Sequence, residues 1–262
     1  MIKIISGYTG KGGSTVAFIN LTNNFNSLGI DCVLYGNQDW HLDKCRSARL
    51  SGINFESDDR IIAHFLDMKY RPNVHKVVLG CHEKWWFKVG GIQQYWDEAI
   101  FLHEAHKDYQ VSQGYNGKYS IIPNLKEALI PKDKPELDLV AGVIGSIEDR
   151  KKTHLSIIKA LKDGCKKIYL YGNILDDKYY NQFVKPLLND RVVLGGFSEN
   201  KQEMYDSIGR VYHSSVGEVA CLVKDECFLT NTKFFGNEET NHEVSPLKNE
   251  QIIQLWKNVL DL

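Results

Sequence analysis

Ile2-Lys-Ile-Ile-Ser6, then Gly7-Tyr-Thr-Gly-Lys-Gly-Gly13, then Ser14-Thr15-Val-Ala-Phe-Ile-Asn-Leu running on to Leu28: this opening decides the fold. The first run is apolar and β-branched, which predicts a strand. The second is a glycine-rich turn, and the third spaces its apolar residues as a helix does. Asp31–Tyr35 predicts the next strand. A repeated β-loop-α-β unit predicts parallel sheets covered by helices on both faces. Working outward, strands are expected at Arg60–His64, Lys76–Cys81, Glu98–His103 and Tyr119–Pro123.

A second series starts at the expected strand Leu137–Ile144. Its helices are expected at Thr153–Leu161, Lys178–Leu188, Lys201–Ile208 and Gly217–Cys227, and its further strands at Lys167–Tyr171, Arg191–Gly195 and Arg210–His213. Between the two series, Ile130-Pro-Lys-Asp-Lys-Pro-Glu136 breaks the periodicity with prolines and charges. The expected organisation is an N-terminal α/β domain over 1–130, a linker over 131–137, a second α/β domain over 138–245 and a C-terminal helix over 246–262. That helix has one apolar face (Ile252, Ile253, Leu255, Trp256, Val259, Leu260) able to pack on either domain. Two α/β domains on one linker predict a cleft, a common ligand site.

Hydrophobic residues form 43% and charged residues 25% of the 262 positions, the proportions of a globular protein. A formal net charge of −1 provides no global field towards nucleic acid or anionic lipid. The six cysteines form no Cys-x-x-Cys pair, which fits reduced thiols and a cytoplasmic compartment. The chain enters a strand at once, so no signal peptide is expected, and no apolar run approaches the ~20 residues of a membrane span. No His or carboxylate cluster has metal-ligand spacing, so no metal is expected.

Strand, glycine loop and helix together suit an anion: the loop backbone approaches closely and the helix start offers unpaired N–H groups and a positive dipole end. A simple helix cap by Ser14 or Thr15 is the structural alternative. Residues 1–40 resemble the opening of ParA/MinD-type P-loop ATPases. The Walker pattern, however, needs Gly-Lys-[Ser/Thr]. Here Gly12-Gly13 runs directly into Ser14, and Lys11 precedes the glycines.

A different chemistry is carried by His213-Ser-Ser-Val-Gly-Glu218-Val-Ala-Cys-Leu-Val-Lys-Asp-Glu226. On a helix its two glutamates would stand ~12 Å apart, the reach from a donor sugar across a diphosphate to a ribose. Two helical glutamates commonly form only a solvated face, so the surroundings matter. The segment resembles the E-x7-E signature of retaining GT-B glycosyltransferases, family 4 in particular. In the family's order, Val140-Ala-Gly-Val-Ile-Gly-Ser-Ile-Glu-Asp-Arg-Lys151 resembles the strand whose basic residues grip the diphosphate. Lys151 matches the family lysine, while Ser146 stands at the arginine position with Arg150 nearby. Lys167–Gly172, Val192–Phe197 and Met204–Ser214 resemble the following elements. In the first half, Asp59–Leu66, Lys76–Glu83 and Tyr119–Asn124 resemble the family's strand ends.

The resemblance implies a GT-B fold, two Rossmann-like domains facing across a cleft with the C-terminal helix crossing back to the first. It implies a retaining glycosyltransferase with no obligatory metal or other cofactor and a nucleotide-sugar donor, UDP-sugar favoured over GDP-sugar. It assigns Glu218, Lys151 and His82 to catalysis. It assigns Gly12, Gly13, Arg150, Lys151, Gly172, Phe197 and Glu226 to the donor, with Glu218 at the sugar and Glu226 at the ribose. Departures are Ser146 and the short chain, which keep open a relative that binds but does not catalyse. Compact size and an Asn-, Lys- and Tyr-rich composition resemble enzymes of T4-like bacteriophages, some of which glycosylate hydroxymethylated cytosine in DNA within the host cytoplasm. Arg60, Lys69, Arg71, Lys76, Lys84 and Lys88 are the candidate phosphate contacts. The other acceptor reading is a polysaccharide or lipid-linked sugar. Lys84-Trp-Trp-Phe-Lys88 and Tyr95-Trp96 could stack on a base or sugar ring, or simply pack.

Overall fold

The structure, a computed structural model, describes residues 1–66, 70–84, 95–240 and 242–262. It forms two compact units, Met1–Lys126 with Ser245–Leu262, and Glu127–Val244.

In the first unit, β1 (Ile2–Ser6), β2 (Cys32–Gly36), β3 (Ser47–Arg49), β4 (Arg60–His64), β5 (Lys76–Gly80), β6 (Glu98–Phe101) and β7 (Tyr119–Ile121) make a parallel sheet. Their order is β3-β2-β1-β4-β5-β6-β7. In register, Ile4 lies between Leu34 and Ile62. Successive residues enter opposite cores, because side chains alternate across a strand and this sheet is covered on both sides. Ile4, Ile62, Val78 and Ile100 join the core under α1 (Gly13–Ser27), whereas Ile5, Ile61, Val77, Ala99 and Phe101 join the other. Ile252, Ile253 and Trp256 of the C-terminal helix (Asn249–Val259), with Leu260 just after it, complete the α1 core. That helix therefore belongs to the first unit although the second precedes it in sequence.

The second unit has β8 (Val140–Ile144), β9 (Lys167–Tyr171), β10 (Val192–Gly196), β11 (Arg210–Tyr212) and β12 (Lys233–Phe235), all parallel, in the order β10-β9-β8-β11-β12. Val143, Leu170 and Val192 pack with Ile157 and Ala160 of α3 (Thr153–Lys162) on one face. Val211 packs with Tyr205 of α5 (Lys201–Asp206) and Cys227 of α6 (Leu222–Leu229) on the other. Residues 131–137, expected as a linker, lie within this unit. Lys134 is buried there, its Nζ donating to Tyr205 O at 2.7 Å and to Thr232 Oγ1 at 2.9 Å.

Several expectations need correction. The helix expected over Gly217–Cys227 begins only at Leu222. Gly217 adopts a left-handed backbone (φ +77°) and its N–H donates to Glu239 Oε2, both incompatible with a helical turn there. Glu218 therefore sits in a loop, and the helical ~12 Å spacing to Glu226 does not apply. The single helix expected over Lys178–Leu188 is α4 (Asp177–Tyr179) followed by a π turn (Tyr180–Val184) and a 3-10 turn at Lys185–Leu187. Pro186 has no N–H with which to continue a regular ladder. The strand expected to reach His103 stops at Phe101, and His103 Nδ1 caps α2 (Glu104–Ser112), a helix the sequence reading lacks. β3 and β12, three residues each, are likewise additions. Lys69 and the Trp85–Lys88 part of the aromatic cluster lie outside the described residues, while Trp96 is a core residue.

Candidate functional site

In open parallel sheets, ligands bind outside the carboxyl ends of the strands where the order reverses. Among the described strands, the order reverses between β1 and β4 in the first unit and between β8 and β11 in the second.

In the second unit, β8 leads into Gly145–Ser146 and a 3-10 turn at Asp149–Lys151, and β11 leads into the His213–Glu218 loop. The two segments are joined where Val216 N donates to Arg150 O at 3.0 Å. Three cationic or ring groups then converge on Glu218 Oε1: Lys151 Nζ in direct contact, His213 Nε2 at 3.4 Å and Arg150 NH1 at 3.7 Å. Arg150 NH2 also reaches Glu148 Oε1 at 3.2 Å, which accepts from Ser146 Oγ at 2.6 Å. Burial works to raise the Glu218 pKa, but the His213 hydrogen bond and the Lys151 charge outweigh it and hold the carboxyl well below the usual range. Glu218 is thus a fixed anion amid cations, with side-chain exposures of only 12% for Glu218 and 17% for Lys151.

Glu226 sits in a separate cluster. It is 6% exposed, with Oε1 accepting from Lys201 Nζ at 2.6 Å and Oε2 from Tyr205 OH at 2.7 Å. Lys201 also pairs with Glu127. Burial raises the Glu226 pKa against the opposing charge of Lys201. Gly172 lies beyond β9, against the Gly145 carbonyl, and Phe197 follows β10 with 39% exposure.

In the first unit, α1 starts with Gly12 as a cap lacking any side-chain hydrogen bond, and its first turn carries no acid. The Tyr8 ring lies over this loop, with Cε1 3.2 Å from where a Cβ on Gly12 would stand. His82 follows β5, half-buried, with its ring 4.9 Å from Phe18 and 5.6 Å from His64. Burial, then the neighbouring His64, lowers its pKa to about 3, so it is neutral at ordinary pH. Burial, then His103, likewise lowers His106 to about 3.

These two rings give a pH prediction. Unfolded, each takes up a proton near 6.5; folded, each stays neutral down to about 3. The unfolded state binds more protons throughout that window. Stability should therefore fall as pH drops below about 6.5, by up to about 1.4 kcal/mol per pH unit for each histidine. Urea titrations between pH 7.5 and 5 check this, and a flat profile contradicts it.

Sequence reading missed His213, Glu83, Lys201 and Tyr205. Position offered a signal for two of them: His213 directly follows β11 and Glu83 closely follows β5, at the carboxyl edges where ligands bind. Among the described residues, no group of three or more His, Cys, Asp or Glu side chains could hold a metal ion, and no helix is long and apolar enough to cross a membrane. All six cysteines are free thiols.

The crystal structure of Anabaena HepE in complex with UDP and glucose matches 91% of this chain and 81% of its own, with a TM-score of 0.71 and 15% identity. TarM matches 100% of this chain and 91% of its own, with a TM-score of 0.69 and 10% identity. WaaG, a glycosyltransferase involved in lipopolysaccharide biosynthesis, does so at 0.65 and 12% identity, over 100% and 91%. The fold is GT-B. At these identities the GT-B likeness is one of fold. No family model and no curated protein matches the sequence.

Proposed function

We propose that this chain is a glycosyltransferase moving a sugar from a UDP-sugar to an acceptor hydroxyl with retention at the anomeric carbon. The observation that carries the reading is Glu218 with Lys151, His213 and Arg150 at the β8/β11 reversal of a GT-B fold. HepE, which shares the fold, has been solved with UDP-glucose.

Lys151 holds the departing diphosphate, and Arg150, whose guanidinium already shares Glu218 with Lys151, supplies the second cation that Ser146 cannot. Glu218 orients these cations and faces the sugar. Lys201 and Tyr205 each occupy one acceptor position on Glu226, and its remaining lone pairs accept ribose hydroxyls. Gly172 gives close backbone approach and Phe197 an apolar surface for the base. In the first unit, Gly12, Gly13 and His82 are the further donor contacts that the GT-B resemblance implies, the glycines through N–H groups at a helix start and His82 as a neutral ring. The bond from the anomeric carbon to phosphate oxygen breaks as the acceptor oxygen bonds to the same face. The acceptor proton passes to the leaving phosphate oxygen, giving UDP and the glycoside. Catalysis is then positioning plus electrostatic stabilisation of the leaving group.

For the acceptor, we favour a glycan or lipid-linked glycan over a hydroxymethylated base in DNA. Three of the candidate DNA contacts are engaged within the chain: Arg60 with the carbonyls of Leu260 and Asp261, Lys76 with Asp261, and Arg71 with Asp97. The test incubates UDP- and GDP-sugars with glycan acceptors and with hydroxymethylated DNA, reading product and anomeric configuration by NMR. A UDP-sugar product of retained configuration is expected. Inversion refutes retention, a DNA product that vanishes with added salt refutes the glycan acceptor, and ATP hydrolysis without sugar transfer would favour a P-loop hydrolase.

A further inference from the structure

At the carboxyl ends of β1, β4 and β5, a line of hydrogen bonds is left unused by the roles above. Ser6 Oγ lies 2.5 Å from Tyr8 O and 2.7 Å from His64 Nδ1, and accepts the Tyr8 N–H at 3.2 Å. His64 Nε2 lies 3.0 Å from Glu83 Oε1, and Glu83 Oε2 accepts the His82 N–H at 3.3 Å. Ser6 is fully buried and His64 is 1% exposed, so water offers neither a substitute partner.

Counting hydrogens, together with the ionisation of Glu83, decides the protonation state. Ser6 has one hydroxyl hydrogen. With His64 neutral and protonated on Nε2, that hydrogen must go to Nδ1, leaving two bare oxygens 2.5 Å apart at Tyr8. With His64 neutral and protonated on Nδ1, Nε2 at 3.0 Å would need a hydrogen from Glu83, a partly exposed carboxyl held below its usual range and therefore ionised. Hydrogens on both ring nitrogens satisfy every contact: Nε2–H to Glu83, Nδ1–H to Ser6, and Ser6 O–H to the Tyr8 carbonyl. We infer that His64 is an imidazolium that positions both parts of this edge, fixing the head of the glycine loop through Ser6 and the residue beside His82 through Glu83. Its catalytic consequence rests on the proposed transferase reading; the proton count does not.

The groups facing His64 are Glu83 and His82 after β5, Ser6 at the end of β1, Phe18 of α1 and Phe65 after β4. His106 of α2 also acts to lower the His82 pKa. Burial works to raise the Glu83 pKa, yet the hydrogen bond and charge of His64 outweigh it and lower it. Removing the His64 charge should therefore let the His82 pKa rise.

The test uses the full chain labelled with nitrogen-15 histidine. NMR near pH 7.5, with His64→Gln assigning the signal, is expected to show both His64 ring nitrogens protonated; one bare nitrogen overturns the inference. Should His64→Gln fail to fold, the signal is assigned by its response to Ser6→Ala. In turnover of a UDP-sugar, His64→Gln is expected to raise the acid limb of kcat/KM by about half to one pH unit. Ser6→Ala should raise donor KM several-fold and leave the limb in place. A His64→Gln protein that loses only thermal stability, with an unmoved limb, overturns the positioning role. A chain with both nitrogens protonated that consumes no UDP-sugar supports the imidazolium and overturns the transferase reading instead.

Discussion

Lys151→Ala is expected to lower the rate of sugar transfer by about 10²–10³-fold, the loss seen when one preorganised group facing developing charge is removed. The ammonium is held in place by Glu218 rather than moving freely in solvent, so it meets the leaving diphosphate without reorganising. Because its interaction strengthens as charge develops on the leaving oxygen, kcat should fall more than donor KM rises. Stability should fall by about 1–3 kcal/mol, since Glu218 loses its nearest cation but keeps His213 and Arg150. Steady-state kinetics beside a thermal melt separate the two effects. A folded variant with a merely few-fold loss of kcat would remove Lys151 from the chemistry.

Gly172→Ala should be the most damaging single methyl group in the second unit. Gly172 has φ +152°, and a Cβ there would collide with the Gly145 carbonyl. Gly145 is the residue above which the Lys151 chain and the His213 ring converge, at 3.7 and 3.9 Å from its own Cβ position. Strain and overpacking together should cost about 2–4 kcal/mol. The displaced β8 end should also misplace Lys151, so activity should fall in protein that remains folded. Denaturant unfolding and activity at low temperature check the pair of effects. A variant as stable as the native chain would contradict the backbone contact.

Much of the fold is legible in the sequence because strands buried on both faces need continuous apolar runs. Ile2–Ser6, Arg60–His64 and Lys167–Tyr171 match their strands residue for residue. The order of these runs with their helices also carried the GT-B resemblance. Edge strands Ser47–Arg49 and Lys233–Phe235 bury too few residues to leave a pattern. Charge spacing misled at Glu218, where an eight-residue interval looked helical although Gly217 bends the backbone away. The partners that shape the two edges are distant in sequence: Lys151 and Glu218 are 67 residues apart, Ser6 and His64 are 58, and Lys201 and Glu226 are 25. No local periodicity encodes such pairs. Parallel strands bring the first two pairs together by delivering their carboxyl ends to one edge of each sheet, and the packing of α5 and α6 on one face of the second sheet brings the third.

The most direct measurement compares calorimetric binding of UDP and uridine to the native chain and to Lys151→Ala. Charge-assisted bonds contribute about 1.5–3 kcal/mol each, so UDP should bind native protein at least roughly tenfold to a hundredfold more tightly than uridine. Lys151→Ala should narrow that gap roughly tenfold or more, the share of one charge-assisted bond, with Arg150 keeping the rest, while leaving uridine affinity nearly unchanged. Equal binding of UDP and uridine to the native chain, or a gap left undiminished in Lys151→Ala, would contradict a diphosphate held by Lys151.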